Sequence, residues 1–307
     1  MPYVDIRPAT PRDETAILRL LALSLGRAAD PRFTELYRWK HDQNHFGPSY
    51  RWVMVSGSEI VGVRLFMRWR FAGLGRTWAA VRAVDTATHP DHQGKGIFKA
   101  LTLHALDVAK QDGVDFVFNT PNDQSRPGYL KMGWEQTETL RPMVRPRLRS
   151  LRRLVAARVP ASHWGEVFRA GVPVADIAGD FGAPDLSAPA LTTARSPAFA
   201  RWRYPESLLG YRALWVRHEL AIVRCRARGP IVEAVLADLQ GDPRVVVDQA
   251  SSLLRLTGAD VVVALGVSAR KGFAPLPWSG PTLVQRTLCS TVLPGALRLT
   301  LGDLELF

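Results

Sequence analysis

The sequence predicts an α/β (α+β) fold built from two copies of one unit, and three observations support it. The length of 307 residues suits about two domains. Strand-like runs alternate with amphipathic helical segments, which is typical of sheets covered by helices. Short segments of the first half also recur in the same order in the second half, which indicates an internal repeat.

The repeat consists of four matches that keep their order along the chain. The pairs are FTELYRWK (33–40) with FARWRY (199–204), YRWVMVSGSEIVGVR (50–64) with YRALWVRHELAIVR (211–224), GVDFVF (113–118) with GADVVV (258–263), and LKMGW (130–134) with ARKGF (269–273). We therefore expect domains at 1–145 and 191–307. Between them, 146–190 is expected to be a helical connector to about residue 170, followed by a linker rich in Gly, Ala, Pro and Asp.

The first copy has recognisable elements. Thr10, with Asp13 three residues later, predicts the start of a helix that covers 16–25. The remaining predicted elements are strands at 51–56 and 59–71 joined by a Ser-Gly-Ser turn, a strand at 78–88, a loop at 89–96, a helix at 97–112, a strand at 114–119, a short helix ending at 129–132, and a strand after Trp134.

Composition excludes several classes of protein. The chain carries 40 Lys and Arg against 28 Asp and Glu, a net charge of +12, and only six of the basic residues are Lys. Arg suits phosphate and carboxylate ligands, although a GC-rich genome explains the excess equally well. Two distant cysteines suggest neither a disulfide framework nor a metal site. Neither a signal peptide nor a membrane-spanning run is present, so we expect a cytoplasmic protein.

The segment AVDTATHPDHQGKGIFKAL (83–101) carries the clearest chemical signal. It predicts a strand, a turn with Gly94 and Gly96, and then directly a helix. Backbone N–H groups of such a turn, together with the helix N-terminus, form a cradle for a pyrophosphate. On two glycines alone, however, an ordinary strand-to-helix connection is the favoured explanation of the segment.

Two motifs together resemble the GNAT acyltransferase superfamily. The loop reads Gln93-Gly94-Lys95-Gly96-Ile97-Phe98, and about 30 residues later the block from Asn122 through Ser125 and Tyr129 to Gly133-Trp134 follows in the family's order. The resemblance covers 1–145 closely and 190–307 as a degenerate copy. It implies a mixed, mostly antiparallel sheet flanked by helices in two tandem copies. Phe98 departs from the family, which has a small residue there, and is expected to narrow the phosphate approach.

The resemblance also implies ligands and roles. Acetyl-CoA is the implied co-substrate, without a metal, and its contacts fall on Thr86, Thr88, 93–98, Asn122 and Ser125. Tyr129 matches the general acid, with a core tyrosine as the alternative. The base is open: Asp85 reaches the site only if a bulge rotates it, and a water chain or a residue of the 39–49 loop is the alternative. For the acceptor we expect His41 and Asn44 of that loop, and Arg82.

The second copy has LQGDPRVVVD (239–248) where the first has its glycine loop, and Ser268 where the first has Tyr129. We expect it to bind no acyl-CoA. The sequence thus predicts an acetyl-CoA-dependent N-acetyltransferase for a small amine, with a nucleotide-linked amino sugar as the first guess, acting as a monomer or homodimer. The alternatives are an acyl-CoA sensor, a nucleic-acid-binding regulator and a pseudoenzyme. Nucleic acid is the least expected partner, because the basic residues are spread over both halves.

Overall fold

The computed structural model describes residues 4–26, 30–154, 156–269, 271–276, 280–291 and 296–304. Two compact units divide the chain. The first comprises Met1–Glu138, Leu186–Leu191 and Thr282–Ala296, and the second comprises Thr139–Asp185, Thr192–Pro281 and Leu297–Phe307. This division differs from the predicted boundaries in two main places. Residues 139–145 of the predicted first domain belong to the second unit, and residues 282–296 of the predicted second domain belong to the first.

The chain up to Thr139 follows the predicted order of elements. The strands are β1 (Val4–Pro8), β2 (Tyr50–Ser56), β3 (Glu59–Gly73), β4 (Arg76–Thr88), β5 (Phe116–Asn119) and β6 (Glu135–Thr139). The helices are α1 (Glu14–Leu25), α2 (Arg32–His41), α3 (Ile97–Gln111) and α4 (Arg126–Lys131). Each helix and strand predicted for this part is confirmed, with ends that differ by no more than two residues.

The start of α1 shows how local chemistry sets an element boundary. The Asp13 carboxylate accepts hydrogen bonds from the backbone N–H of Thr10 at 2.7 Å and from its hydroxyl at 2.9 Å. Arg7 pairs with the same carboxylate at 2.8 Å, and this hydrogen bond holds the pKa of Asp13 well below its usual range. The helix ends at Gly26, whose φ of 62° suits glycine best.

After Thr139 the elements are shorter. The strands are β7 (Met143–Pro146), β8 (Val172–Pro173), β9 (Leu191–Thr193), β10 (Tyr211–Val216), β11 (Glu219–Arg228), β12 (Ile231–Gln240), β13 (Val261–Ala264), β14 (Ala274–Pro275), β15 (Thr282–Thr287) and β16 (Leu297–Arg298). The helices are α5 (Leu151–Leu154), α6 (Pro197–Arg203), α7 (Glu206–Leu209), α8 (Pro243–Asp248), α9 (Ala250–Thr257) and α10 (Leu301–Leu304).

The predicted helical connector at about 146–170 is wrong for most of its length. In the part of this segment that the structure describes, only α5 and the 3-10 turn before it are helical. Hydrogen bonds to Asp260 hold the segment instead: its main-chain oxygen accepts from Arg147 N, and its carboxylate accepts from the side chains of Ser150 and Arg153. Leu148, which the helical pattern would bury, is 85% exposed.

The first unit is built on a sheet in the order β1-β2-β3-β4-β5-β15-β6. The pairs β1–β2, β2–β3 and β3–β4 are antiparallel, whereas β4 and β5 are parallel. Strand β15, from late in the sequence, pairs antiparallel with β5. Helix α3 packs on this sheet through Leu101, Ala105 and Ala109, which are completely buried.

The second unit has a sheet in the order β14-β7-β13-β12-β11-β10-β8, again mostly antiparallel with one parallel pair, β12–β13. The segments 50–64 and 211–224, matched in sequence, form the hairpins β2–β3 and β10–β11. In the last match, residue 270 lies outside the described residues. Strand β7 comes from the stretch predicted to end the first domain, yet it pairs with β13.

Candidate active site

A cavity of the first unit opens where its two parallel strands separate. Strands β4 and β5 pair from Ala80 with Phe116 to Arg82 with Phe118. Among the described residues, no strand pairs with β4 on that side beyond this point. The cavity holds about 310 Å³ and is lined by β4 from residue 83 to 88 and by the loop after β5, with Ser24, Leu25, Gln93, Phe98 and Tyr129 around it. Unpaired strand backbone suits an extended ligand that adds like a further strand.

A bulge in β4 shapes the floor of this cavity. The register of β3 and β4 shifts between Val63 and Leu65, so that Arg64 of β3 faces two residues of β4, Asp85 and Thr86. Asp85 has a φ of 41°, a left-handed value that costs an L-residue about 1–2 kcal/mol. Such strain persists only where surrounding contacts hold it. Because of the bulge, the orientation of the Asp85 side chain does not follow the regular alternation of side chains along β4.

The glycine-rich loop offers open space in front of a long helix. Gly94 and Gly96 have φ values of 74° and 78°, and a Cβ added at either would meet no atom within 4 Å. Helix α3 begins at Ile97 directly after Gly96 and runs for 15 residues. Its first N–H groups and its dipole favour an anion at this end. Lys95 and Gln93 are exposed beside them. These residues fit the pyrophosphate of a coenzyme.

Tyr129 lies on α4, is only 4% exposed and borders the cavity. Its hydroxyl accepts a hydrogen bond from Nη1 of Arg64 at 2.8 Å. Its ring makes edge-to-face contacts with Phe98 and Trp134, at centroid distances of 5.3 and 5.1 Å. The phenol is therefore held from three sides.

The Phe98 ring packs against α4 at a position where that helix has a glycine, Gly128. A Cβ added to Gly128 would lie 3.0 Å from Cε1 of the Phe98 ring. The glycine therefore makes room for the large side chain, which packs against Tyr129. Phe98 is half-buried and lines the cavity, while the space at Gly94 and Gly96 stays open.

The other residues predicted to contact the coenzyme also border the cavity. Asn122 Oδ1 accepts hydrogen bonds from the backbone N–H of Ser125 at 2.8 Å and from its hydroxyl at 2.7 Å, which closes the turn before α4. The Thr86 hydroxyl accepts a hydrogen bond from Arg64. The main-chain oxygen of Thr88 accepts one from Ser24. These side chains thus shape the backbone of the cavity.

Asp85 sits in a cluster of buried charged and polar groups. Its Oδ2 accepts hydrogen bonds from Nζ of Lys40 at 2.6 Å and from Nε2 of His41 at 2.9 Å. Lys40 and Asp85 have side chains only 2% and 7% exposed. A buried carboxylate needs such partners. These contacts hold the left-handed bulge, and they give Asp85 the satisfied structural role that opposes its use as a base.

His41 is neutral within this cluster. Nδ1 lies 2.9 Å from the Ser49 hydroxyl, and Nε2 donates to Asp85. Burial lowers the pKa of His41 to about 4, although the hydrogen bond and the charge of Asp85 act in the opposite direction. His41 has no exposed surface.

The three residues predicted to contact the acceptor are buried outside the cavity lining. His41 is held as described, and Asn44 caps its own loop through the main-chain oxygen of Arg68 and the N–H of Phe46. Arg82 is 4% exposed and reaches the Thr120 hydroxyl at 3.3 Å. None of the three lines this cavity, and their direct contact with an acceptor stays a prediction. A polar loop sequence does not reveal which of its groups the loop itself consumes.

Arg64 and Lys40 are the residues of the site that sequence reasoning missed. Arg64 stands in the apolar run EIVGVRLF (59–66), and Lys40 is the penultimate residue of the otherwise amphipathic α2. A charged residue within a run that should be buried is the signal that would have found Arg64. The repeat also aligned it with Arg224.

The second unit holds a larger cavity, about 440 Å³, beside residues 236–240 of β12. It lies where β12 and β13 separate after Val235 and Val263. However, the helix that follows β12 is capped by the Asp242 carboxylate, which accepts from Arg244 N and disfavours a second anion. The size of a cavity does not decide its chemistry, and the loop, helix and tyrosine described above favour the cavity of the first unit.

Comparisons with known proteins agree with this geometry. The model of an acetyltransferase (GNAT) domain matches residues 5–137. Solved structures with a similar fold include a probable N-acyltransferase from Enterococcus faecalis (9% identity, 94% of this chain and 73% of the other, TM-score 0.64). They also include a GCN5-related N-acetyltransferase from Kribbella flavida (15%, 94% and 72%, 0.61) and Eis1 from Mycobacterium abscessus (16%, 94% and 74%, 0.57). No curated protein matches the chain.

The next two features concern membrane-spanning helices and metal-binding groups in the part of the chain that the structure describes. No helix in the described ranges is long and apolar enough to cross a bilayer. Within the same ranges, no three His, Cys, Asp or Glu side chains come together as a group that could hold a metal ion.

Proposed function

We propose that this chain transfers an acetyl group, because its residues 5–137 match the model of an acetyltransferase (GNAT) domain. The acetyl group passes from acetyl-CoA directly to the primary amine of a small acceptor. One observation carries the proposal. The cavity beside the splayed strands is lined by Tyr129 and by Gln93 and Phe98, the two residues that flank the glycine loop and the first residue of α3.

Each part of the cavity has a role in the proposed reaction. The N–H groups after Gly94 and Gly96 bind the pyrophosphate, and the unpaired edge of β4 from residue 83 to 88 takes the extended pantetheine arm. The amine nitrogen forms a bond to the thioester carbon as the carbon–sulfur bond breaks. Tyr129 donates its proton to the leaving sulfur, and the attacking amine loses one proton.

The contacts of Asp85 bear on which group takes up the proton from the attacking amine. Lys40 at 2.6 Å stabilises the ionised carboxylate, and a strongly paired carboxylate is a weak base. We therefore propose a water chain to solvent as the acceptor of this proton, with Asp85 as the competing candidate. An Asp85→Asn variant that stays folded tests this choice: unchanged turnover with unchanged acetyl-CoA affinity excludes Asp85 as the base.

We propose only the chemical class of the acceptor, which is a primary amine. A nucleotide-linked amino sugar stays in the test panel, but Arg82, the guanidinium expected to bind its diphosphate, is buried against Thr120. The sensor, nucleic-acid-binding and pseudoenzyme alternatives are not favoured, because Tyr129, the proposed general acid, lines the cavity together with Gln93 and Phe98 beside the glycine loop.

The experiment measures free thiol release from acetyl-CoA with a panel of amines, including nucleotide amino sugars, aminoglycosides and polyamines, alongside acetyl-CoA binding by calorimetry. We expect binding, and turnover with at least one amine. Tyr129→Phe should lower kcat by about 100-fold or more with little change in acetyl-CoA affinity. No binding at millimolar acetyl-CoA would overturn the proposal, and unchanged turnover of Tyr129→Phe would remove the general acid assignment.

A further inference from the structure

Arg64 is a fully buried cation without a carboxylate partner. It lies on β3 behind the cavity and has no exposed surface. Its guanidinium carbon lies 4.7 Å from the ring centroid of Phe66, 5.3 Å from that of Tyr129 and 5.8 Å from that of Phe98. No Asp or Glu pairs with it among the described residues. Ring faces attract a cation, but they do not neutralise it.

Most of the hydrogen-bonding capacity of Arg64 is unused. Nη1 donates to the hydroxyls of Tyr129, at 2.8 Å, and Thr86. Nε and Nη2 are buried and have no hydrogen-bond partner within the described ranges. A buried charge without an anion and with idle donors is strongly unfavourable for folding. Beside a cavity, such a group is a candidate for a functional role, and its hydrogen bond to Tyr129 is the observation that carries the argument here.

The direction of the hydrogen bond to Tyr129 fixes the orientation of the phenol. A guanidinium donates only, so the Tyr129 oxygen must accept from Arg64. The hydroxyl proton of Tyr129 is thereby directed away from Arg64, and it has no acceptor among the described residues. A proton held ready beside the cavity is what a general acid requires.

We propose that Arg64 is a positioning residue for acetyl transfer. It holds the Tyr129 hydroxyl so that its proton is available to the leaving sulfur, and its charge stabilises the anion that forms when the carbon–sulfur bond breaks and the proton moves. This inference rests on the proposed function, since it needs coenzyme A in the cavity of the first unit.

The second unit supplies a matched control. Arg224 follows Glu219 by five residues on β11, as Arg64 follows Glu59 on β3, and it is also completely buried. Arg224 donates through Nη2 to the main-chain oxygen of His163 at 2.8 Å, and Ser268 stands at the sequence position of the tyrosine. Arg224 also lies 5.6 Å from the ring centroid of Tyr211, but Tyr211 does not line the cavity of the second unit. Tyr129, whose hydroxyl accepts from Arg64, does line the cavity of the first unit.

The first experiment measures the acidity of the thiol of bound coenzyme A, which requires no knowledge of the acceptor. The full chain is loaded with coenzyme A, and the thiolate is followed by its ultraviolet absorbance as the pH rises. We expect Arg64→Met to raise the apparent pKa of the bound thiol by about one unit. Arg224→Met should leave it unchanged. Equal values in wild type and Arg64→Met would overturn the inference, while absence of coenzyme binding to the wild type would overturn the proposed function.

The second experiment asks whether Arg64 acts through Tyr129. With an acceptor from the panel, Arg64→Met should lower kcat by about 10- to 100-fold with little change in the KM for acetyl-CoA. In the Tyr129→Phe background the same substitution should have a much smaller effect, because the hydroxyl to be oriented is gone. An equal loss in both backgrounds would show that Arg64 acts independently of the phenol and would contradict the inference.

Arg64→Lys keeps the experiment decisive if Arg64→Met does not fold. Lysine preserves the charge but not the fork of donors, so the bound thiol should keep most of its acidity while kcat falls. A Lys variant with normal folding and a thiol as weakly acidic as free coenzyme A would refute the electrostatic part. A Lys variant with full kcat would refute the positioning part.

Discussion

His41 should make the first unit sensitive to acid. Its imidazole is completely buried, and burial lowers its pKa from 6.5 to about 4. Between these two pH values the His41 imidazole therefore stays neutral in the folded state, whereas in the unfolded state it takes up a proton. Stability is fully present above the unfolded pKa, falls as the pH drops through this window, and levels off below the folded pKa.

The magnitude follows from the separation of the two pKa values. Each pKa unit corresponds to about 1.4 kcal/mol, so lowering the pH from about 7 to about 4.5 should remove roughly 2–3 kcal/mol of the free energy of unfolding through this one group. Asp13, whose pKa is also lowered, acts at more acidic pH, because its unfolded value is 3.8. It therefore contributes little within this window.

The assay is urea unfolding at a series of pH values, with hydrogen exchange of α2 to report on the first unit. His41→Gln can still donate to Asp85 but cannot titrate, so its stability should vary less with pH by roughly 2–3 kcal/mol over the same window. His218→Gln, on an exposed turn, is the matched control and should follow the wild type. Parallel curves for wild type and His41→Gln would refute the reasoning.

Three further predictions concern the same site. Gly96→Ala and Gly26→Ala introduce similar left-handed strain, since both positions have open space and φ values of 78° and 62°, so each should lose about 1–2 kcal/mol in urea unfolding; only Gly96→Ala should also weaken acetyl-CoA binding in calorimetry. Lys40→Met removes the cation that pairs with the buried Asp85 carboxylate and should lower the free energy of unfolding by about 3–5 kcal/mol, and a loss below 1 kcal/mol would contradict the ion pair. Gly128→Val should overpack the Phe98 ring and lose about 1–3 kcal/mol, whereas Gly128→Ala, with one contact of 3.0 Å, should lose clearly less.

The chemical motif was readable because its requirements are local. A strand, two glycines and a helix start are properties of consecutive residues, and the structure has β4, the open loop and α3 where the pattern predicts them. Tyr129 and Asn122 follow on α4 and the turn before it. The order of these segments in a resembling family suffices to bring them to one cavity.

The orientation of Asp85 was not readable, because it depends on partners distant in sequence. Strand alternation left its direction open, and the bulge opposite Arg64 decides it. Lys40 and His41, more than forty residues earlier, then hold the carboxylate. No pattern within β4 contains that information.

The partners of the polar side chains in the 39–49 loop were not readable for a related reason. A sequence shows that His41 and Asn44 can make hydrogen bonds, but not whether the protein itself satisfies them. The structure shows that Ser49 and Asp85 engage His41, and that Asn44 caps its loop. Burial and partner choice are tertiary properties.

The sequence by itself determined the helices and strands of the first copy and the positions of the glycine loop and of Tyr129 among them, since each depends on a short-range pattern. Only the tertiary structure decided which unit completes its sheet with β7 and which with β15, because strand pairing joins residues far apart in the chain and either copy presents a similar edge. It alone placed Arg64 against Tyr129, 65 residues away. The free energy of a buried charge depends on what surrounds it in space, and sequence neighbours do not determine those surroundings.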